Sequence, residues 1–267
     1  MALAGFIGLA LYFASTPSLE SYTNSTDTDT TNTSTANTST QHWIWQAKDL
    51  TTLNLNDSNG LVIMQGEYKQ QGEQVVFGKK GLAPYPIKSS KELPIRLLIR
   101  AYQLPPIKAL SAQINYLVYN WKMAGVTIKG VQIDYDAPAS KLLDYRDYIQ
   151  ALDQQLKPKH GAKFISITGL SSWLADNIKA LNQFNQSIEY VAIQFYQYHR
   201  PVPRAEQYAQ RLKQLSLPYK IGITTAPQFT TIKFATNQHY TGKLIFSNVS
   251  NVKGYLWTNL SYPPLLR

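Results

Sequence analysis

The stretch KGVQIDYDAPASK (Lys129–Lys141) begins like a buried strand but carries a polar side chain at every second position. Successive side chains of a β-strand face opposite ways, so one face of this strand is apolar and the other is acidic. The acidic face holds Gln132, Asp134 and Asp136. An edge strand of an antiparallel sheet would show the same alternation, with its polar face in water. The fold of the rest of the chain therefore decides what these acids do.

Strand-like and helix-like segments alternate along most of the chain. Eight segments rich in β-branched and aromatic residues predict strands. They are His42–Gln46, Leu61–Tyr68, Ile95–Leu104, Ile128–Asp136, Lys163–Leu170, Glu189–Tyr198, Tyr219–Thr225 and Gly254–Leu260. Helical spacing of apolar residues predicts helices over Ile107–Met123, Lys141–Leu156, Ser172–Phe184 and Pro203–Leu215. Eight such units predict a single-domain α/β fold, a (β/α)8 TIM barrel over residues 41–267.

Parts of this pattern are weaker. The polar insert Lys69–Glu92 holds no clear helix, so the first units are expected to be irregular, and Gln228–Asn251 fits no better. Pro158 is predicted to end the second of these helices. An open, doubly wound sheet of the flavodoxin-like kind remains the alternative fold.

A parallel barrel changes the interpretation of the acidic face. Helices cover the outside of such a barrel, so the polar set points inward, near the carboxyl-terminal mouth where barrel enzymes place their chemistry. Two carboxylates two residues apart on one face repel each other, which raises the pKa of one and prepares it as a general acid. We therefore predict Asp134 and Asp136 as catalytic residues.

Further polar and aromatic residues are predicted near the same mouth because they lie on the inward face of a strand or follow its end. The predicted substrate-binding residues are Gln132, Gln194, Tyr196, Tyr255, Trp257, Arg100 and Trp173. The amide of Gln194 and the phenol of Tyr196 offer hydrogen bonds, and an indole can form the floor of a sugar-sized pocket. Arg100 either holds an anionic group or neutralises the aspartates, and both readings stay open.

Composition excludes several classes of site. The chain has no cysteine, and its four histidines are far apart, so no metal or cofactor is predicted. Its formal net charge is +10, and the first 40 residues contain three acids and no Lys or Arg, so the remaining body is more basic still. A basic surface favours phosphates, anionic polysaccharide or acidic lipid headgroups. No nucleic-acid-binding motif is present, so we expect a carbohydrate partner, no nucleic acid and a monomer.

The amino-terminal segments predict an exported protein. Ala2–Ala14 is an apolar run of 13 residues, shorter than the roughly 20 of a membrane span and typical of an export signal, although the positive segment that usually precedes one is missing. Residues 1–20 are thus an export signal or an uncleaved membrane tether. The Ser/Thr/Asn/Asp-rich residues 21–40 predict a disordered linker. We expect a periplasmic or extracellular location.

Two resemblances are visible in these motifs. The run GVQIDYDAPASKLLDY, followed by ISITGLSSWL, resembles the core of a bacterial family known only as domain of unknown function 3142, from about Trp43 onward. That family brings no assigned activity. More distantly, the strand resembles D-G-x-D-x-D-x-E, the fourth-strand signature of family 18 glycoside hydrolases. Gly130, Asp134 and Asp136 stand at its G, final D and E positions.

The second resemblance implies roles for these residues. In family 18 the Glu protonates the glycosidic oxygen and the preceding Asp orients the acetamido group of the substrate, which implies a proton-donor role for Asp136 and a partner role for Asp134. The family's Met-x-Tyr on strand six is similar to Gln194-Phe195-Tyr196, and its strand-eight Trp matches Trp257. The sequence departs from the signature because the acid is Asp, and because Lys129 and Gln132 replace its first two acids.

Three functions follow as hypotheses. The first is an exported glycoside hydrolase-like barrel that acts on a polysaccharide. The second is a catalytically silent carbohydrate-binding barrel. The third is a metal-dependent glycosyltransferase in which a D-x-D pair holds a divalent ion and a nucleotide sugar. The third is the least favoured, because the sequence has no Gly-rich phosphate loop.

Overall fold

The strands of the chain close into a barrel. The computed structural model describes residues 39–51, 53–84 and 93–246. Its strands are β1 (Ser39–Ile44), β2 (Leu61–Gln71), β3 (Gln74–Lys79), β4 (Ile95–Ala101), β5 (Ile128–Tyr135), β6 (Ile165–Leu170), β7 (Val191–Gln194), β8 (Tyr196–Gln197), β9 (Arg200–Pro201), β10 (Tyr219–Thr224) and β11 (Tyr240–Phe246). Eight of them are parallel and form a ring in the order β1, β2, β4, β5, β6, β7, β10, β11, and β1 pairs with both β2 and β11. The predicted (β/α)8 barrel is confirmed, and the open-sheet alternative is wrong.

Helices connect most of the barrel strands. They are α1 (Ala47–Thr51), α2 (Ile107–Met123), α3 (Leu142–His160), α4 (Trp173–Asp176), α5 (Ile178–Asn182) and α6 (Ala205–Arg211). Short 3-10 turns cover Leu55–Asp57, Ala139–Lys141, Gln183–Gln186, Leu212–Gln214 and Pro227–Thr230. No helix within the described ranges combines the length and the apolar composition needed to cross a bilayer.

The helix predictions hold for α2 and need two corrections elsewhere. Pro158 does not end α3, which continues to His160. A proline this close to a helix end removes only one backbone hydrogen bond, and the helix ends where Gly161 adopts a positive φ of 84° and bonds the carbonyl of Lys157. The predicted helix Ser172–Phe184 is broken at Asn177, with φ of −118°, into α4 and α5.

The first and last units are irregular, as the sequence indicates. β2 and β3 form an antiparallel hairpin, and β3 lies within the polar insert. The chain turns between them at Gly72, which has a φ of 58°. The eighth strand of the ring is β11, within the segment 228–251 that fitted no element. The predicted strand Gly254–Leu260 lies outside the described residues.

Side chains alternate between the two faces of the barrel wall. Val131 and Ile133 belong to the large core between the strands and the helices, and Tyr135 packs on Tyr145 of α3, 5.2 Å between ring centroids. A second, smaller core fills the interior. Its members are Trp43, Val62, Met64, Leu98, Tyr190, Ala192 and Leu244. The register pairs Leu98 with Gln132, so the polar set of β5 points into the barrel as predicted.

Charged residues close the amino-terminal end of the interior. The Arg96 guanidinium and the Lys220 ammonium lie 5.2 and 5.1 Å from the centre of the Tyr190 ring. Lys220 donates to Ser39 Oγ at 2.7 Å, and burial lowers the pKa of Lys220 to about 8. Arg96 crosses Gly130, where a Cβ would overlap Nη1 of the arginine. This floor lies at the end of the barrel opposite to Asp134.

Candidate active site

Asp134, near the end of β5, and Asp136, just after it, stand at the carboxyl-terminal mouth of the barrel. Asp134 lies inside the strand and is 3% exposed, whereas Asp136 follows the strand and half of its side chain is exposed. Arg100 of β4 stands beside Asp134 in the register. Its Nη1 is 3.4 Å from Asp134 Oδ2, and its Nη2 is 3.4 Å from Asp136 Oδ2. The structure thus brings together three of the predicted site residues.

A buried hydroxyl orients Asp134. Thr168 of β6 donates from Oγ1 to Asp134 Oδ1 at 2.6 Å, and both groups are buried. Because Arg100 approaches the other oxygen, Oδ2, both carboxylate oxygens have a partner. The arrangement holds Asp134 in one orientation towards the mouth.

The surroundings of Asp136 change its acidity. Half of the Asp136 side chain reaches solvent, yet the protein packed around its carboxyl group and the charge of Asp134 together raise its pKa to about 6, while the Arg100 guanidinium opposes the rise. The sequence predicted a raised pKa for one acid of the pair. A carboxyl group with this pKa carries a proton in part of the molecules near neutral pH and is able to donate it.

An aromatic wall of Trp45, Tyr196 and Phe246 flanks the mouth, and the buried Trp43 packs against it from the interior core. The Tyr196 and Phe246 rings stack at 5.9 Å with an interplanar angle of 10°, and Trp43 meets Tyr196 edge-on at 6.0 Å. β11, which carries Phe246, is four strands from β5 in the ring. Arg100 lies 5.8 Å from the centre of the Trp45 ring, so the wall and the acids border the same opening. Aromatic faces of this kind bind the apolar faces of sugars.

Two predicted substrate-binding residues have other surroundings. Trp173 is fully buried in the core between strands and helices, and its indole N–H donates to the Ala137 carbonyl at 3.0 Å. This burial leaves the indole no face for a substrate, so Trp173 positions the segment after Asp136. Gln132 is also fully buried, and its Oε1 accepts from Tyr190 at 3.4 Å below the acids. Gln132 therefore shapes the interior.

The other predicted residues divide into two groups. Gln194 ends β7 half-buried, and Tyr196 belongs to the aromatic wall. Tyr255 and Trp257 lie outside the described residues. The aromatic residue that β11 brings to the mouth is Phe246.

Sequence reasoning missed part of the wall. Trp43 and Trp45 alternate in the strand-like run HWIWQ, and this period of two could have placed both on the inner face. Phe246 carried no such signal, because the segment around it predicted no element. Thr168 could be identified only as one of several polar residues near a strand end.

The described residues contain no cluster of three or more His, Asp or Glu able to hold a metal ion. A cleft of about 370 Å³ lies elsewhere, between the loops that follow β7 and β10. Arg204, Glu206 and Gln228 are among its lining residues, and neither aspartate of the pair is.

Comparison with known proteins agrees with the first resemblance. No curated protein matches the chain. Residues 94–227, which are half of the chain and run from the start of β4 past β10, match the family model described as Domain of unknown function (DUF3142). The chain is therefore a member of the DUF3142 family, and its domain is a TIM-like barrel.

Proposed function

We propose that this protein is an exported glycoside hydrolase-like barrel that acts on a polysaccharide, with Asp136 as proton donor and Asp134 as its partner. The observation that carries the proposal is the geometry at the mouth, where two carboxyl groups two residues apart each lie 3.4 Å from the Arg100 guanidinium and Thr168 fixes the orientation of Asp134. The raised pKa of Asp136 agrees with a proton-donor role. Most glycoside hydrolases use two carboxyl groups whose environments give them different acidities.

The proposed reaction assigns one task to each acid. Asp136 donates its proton to the glycosidic oxygen while the bond from that oxygen to the anomeric carbon breaks. Asp134, oriented by Thr168, faces the positive charge that develops on the sugar. Water then adds to the anomeric carbon and gives up a proton, which restores Asp136. The aromatic wall supplies a surface for a sugar ring.

The distant resemblance to family 18 glycoside hydrolases supports the same assignment. Asp136 is one methylene shorter than the Glu of that signature, so the glycosidic oxygen has to come closer to the strand. Its partly exposed position after β5 leaves room for this approach.

One observation favours a carbohydrate-binding barrel without catalysis. Arg100 lies 3.4 Å from both carboxylates and offsets their charge. In an enzyme this guanidinium has to release Asp136 when substrate binds, whereas in a binding protein the ion pairs persist.

The deciding experiment is a screen of the full chain against a panel of polysaccharides, with detection of new reducing ends and a parallel binding assay. Asp136→Asn should lower hydrolysis by about 10²- to 10⁴-fold, the usual worth of a general acid, and leave binding nearly unchanged. Asp147→Asn is the matched control, because Asp147 is an exposed acid of α3 that pairs with Arg146. Binding without hydrolysis by the parent protein favours the second function. Neither binding nor hydrolysis contradicts both.

Export is a separate part of the proposal and rests on the apolar run Ala2–Ala14. Residues 1–40 fused to a reporter that is active only outside the cytoplasm should give signal. A reporter that stays inactive would contradict export without affecting the assignment of the acids.

A further inference from the structure

The amino-terminal end of the barrel carries a lysine face of five exposed residues. It consists of Lys122 at the end of α2, Lys129 in β5, Lys157 and Lys159 at the end of α3, and Lys163 before β6. Helices of this fold run back along the strands, so the ends of α2 and α3 meet the starts of β5 and β6 at one end of the barrel. The face is at the opposite end from Asp134 and Asp136.

Little of the charge of this face is offset by acids, because Glu189, whose backbone N–H donates to the Ile165 carbonyl at this end of the barrel, pairs with Arg96. The sequence has no Asp or Glu from Leu93 to Ile133 or from Gln154 to Ala175. Within the described part of the chain the five lysines make no ion pair, whereas Lys69, Lys80 and Lys141 each do. Asp153, one turn before Lys157, is buried, and its attraction to Lys157 offsets part of the charge at that one position.

A structural explanation accounts for only part of the face. Lysines in the last turn of a helix interact favourably with the helix dipole, which explains Lys122, Lys157 and Lys159. Lys129 and Lys163 lie outside helices and need another reason.

Large exposed side chains lie next to the lysines. Tyr116, Tyr119 and Met123 are 60%, 59% and 68% exposed and follow one another on successive turns of α2. His160 at the end of α3 contacts Asn115 of α2 at 2.7 Å, so the end of α3 that carries Lys157 and Lys159 packs beside α2. Tyrosines are enriched where proteins meet the interfacial layer of a membrane.

We propose that this end of the barrel docks on a membrane surface rich in anionic lipids. The lysine ammonium groups bind headgroup phosphates and carboxylates, and the stripe of Tyr116, Tyr119 and Met123 enters the headgroup layer. Clusters of four to eight basic residues beside such a surface are typical of this binding. The charge complements anionic headgroups, and the exposed tyrosines suit an interface better than they suit a fully polar polyanion.

Docking at this end fixes the orientation of the barrel relative to the membrane. The mouth with the acid pair points away from the lipid. β1 begins with Ser39 at this same end of the barrel. The inference does not depend on the proposed hydrolase activity.

The test is binding of the full chain to vesicles of phosphatidylcholine, with and without about 30 mol% phosphatidylserine. The parent should bind the anionic vesicles more tightly. The triple variant Lys122→Gln, Lys157→Gln, Lys159→Gln should bind the anionic vesicles about 100-fold more weakly, since each lysine near the surface contributes roughly fivefold. A second variant, Tyr116→Ser with Tyr119→Ser, should also weaken binding to anionic vesicles.

The matched control removes the same charge elsewhere. Lys48, Lys179 and Lys233 are exposed and lie outside the lysine face, so changing all three to Gln should alter binding by less than about twofold. Any membrane binding by Ala2–Ala14 is common to all variants and cancels. Binding of each variant to dextran sulfate, a soluble polyanion, is measured in parallel. Three outcomes overturn the inference: no gain with phosphatidylserine, equal losses in both triple variants, or a loss in the lysine-face variant that is seen with dextran sulfate and not with the vesicles.

Discussion

Two aspartates of the same strand acquire different properties from their surroundings. Asp134 lies inside the barrel wall, where Thr168 and Arg100 each approach one of its oxygens. Asp136, two residues later, sits at the edge of the mouth between the charge of Asp134 and that of Arg100. Neighbouring residues, and not the residue type, therefore separate a fixed carboxylate from an acid able to donate a proton.

Asp134 and Arg100 shift the pKa of Asp136 in opposite directions, so removing each charge should have an opposite effect. Asp134→Asn removes a repelling charge and should lower the pKa of Asp136, but not to 3.8, because burial is the larger cause of the rise. Arg100→Gln removes the stabilising cation and should raise that pKa above about 6. Carbon-detected NMR of the carboxyl groups measures both shifts. An Asp136 pKa that moves in neither variant would mean that the acids are solvated separately.

The same shift gives stability a pH dependence. The folded state keeps a proton on Asp136 that the unfolded chain has released, so the free energy of unfolding should fall as pH rises from about 4 to about 6 and then level off. Half of the side chain is exposed, so solvent screening limits this change to about 1 kcal/mol. In Asp136→Asn the free energy of unfolding, measured by urea titration between about pH 4 and about pH 6, should lack this decrease.

At the scale of elements, the sequence correctly predicts those helices and strands whose positions are set by local residue patterns. The apolar period of α2 and the alternation of β5 are local, and both elements lie where the sequence places them. The break at Asn177 and the role of β11 depend on contacts with distant parts of the chain, so local patterns could not show them. For the same reason the acids were predictable and Phe246 was not: Asp134 and Asp136 belong to one strand, while the wall joins three.

Close packing between β4, β5 and the start of β6 leaves no room for a side chain at Gly130. In Gly130→Ala the new Cβ would overlap Arg96 Nη1 and lie 2.6 Å from the Phe164 carbonyl oxygen, which belongs to the backbone and cannot move freely. We expect a loss of about 1–3 kcal/mol in the free energy of unfolding, the usual cost of overpacking. Gly78→Ala is the control, because its Cβ would meet only the Glu67 carbonyl oxygen at 3.8 Å, and a change within about 0.5 kcal/mol is expected. Equal effects in urea titrations of the two variants would contradict this account of Gly130.

At the scale of the molecule, closure of the ring depends on contacts between residues that are far apart in the sequence. β1 joins β11, about 200 residues later, and also joins β2, so these two pairings remove both edges of the sheet. The interior core depends on closure too, since Trp43 of β1 packs with Tyr196 and the far end of its ring lies over Gly222. The acid pair and the wall face each other only in the closed ring.

This dependence predicts that residues 94–227, the part that matches the family model, do not fold alone. The fragment keeps β4, β5, β6, β7 and β10 but lacks β1, β2 and β11, so β4 and β10 become open edges with unpaired backbone groups. The interior would also lose Trp43, Val62, Met64 and Leu244. In size-exclusion chromatography and near-ultraviolet circular dichroism the fragment should be aggregated or without fixed tertiary packing, while the full chain unfolds cooperatively. A monomeric fragment with a cooperative unfolding transition would show that five strands suffice, and that closure serves to assemble the mouth and not to stabilise the fold.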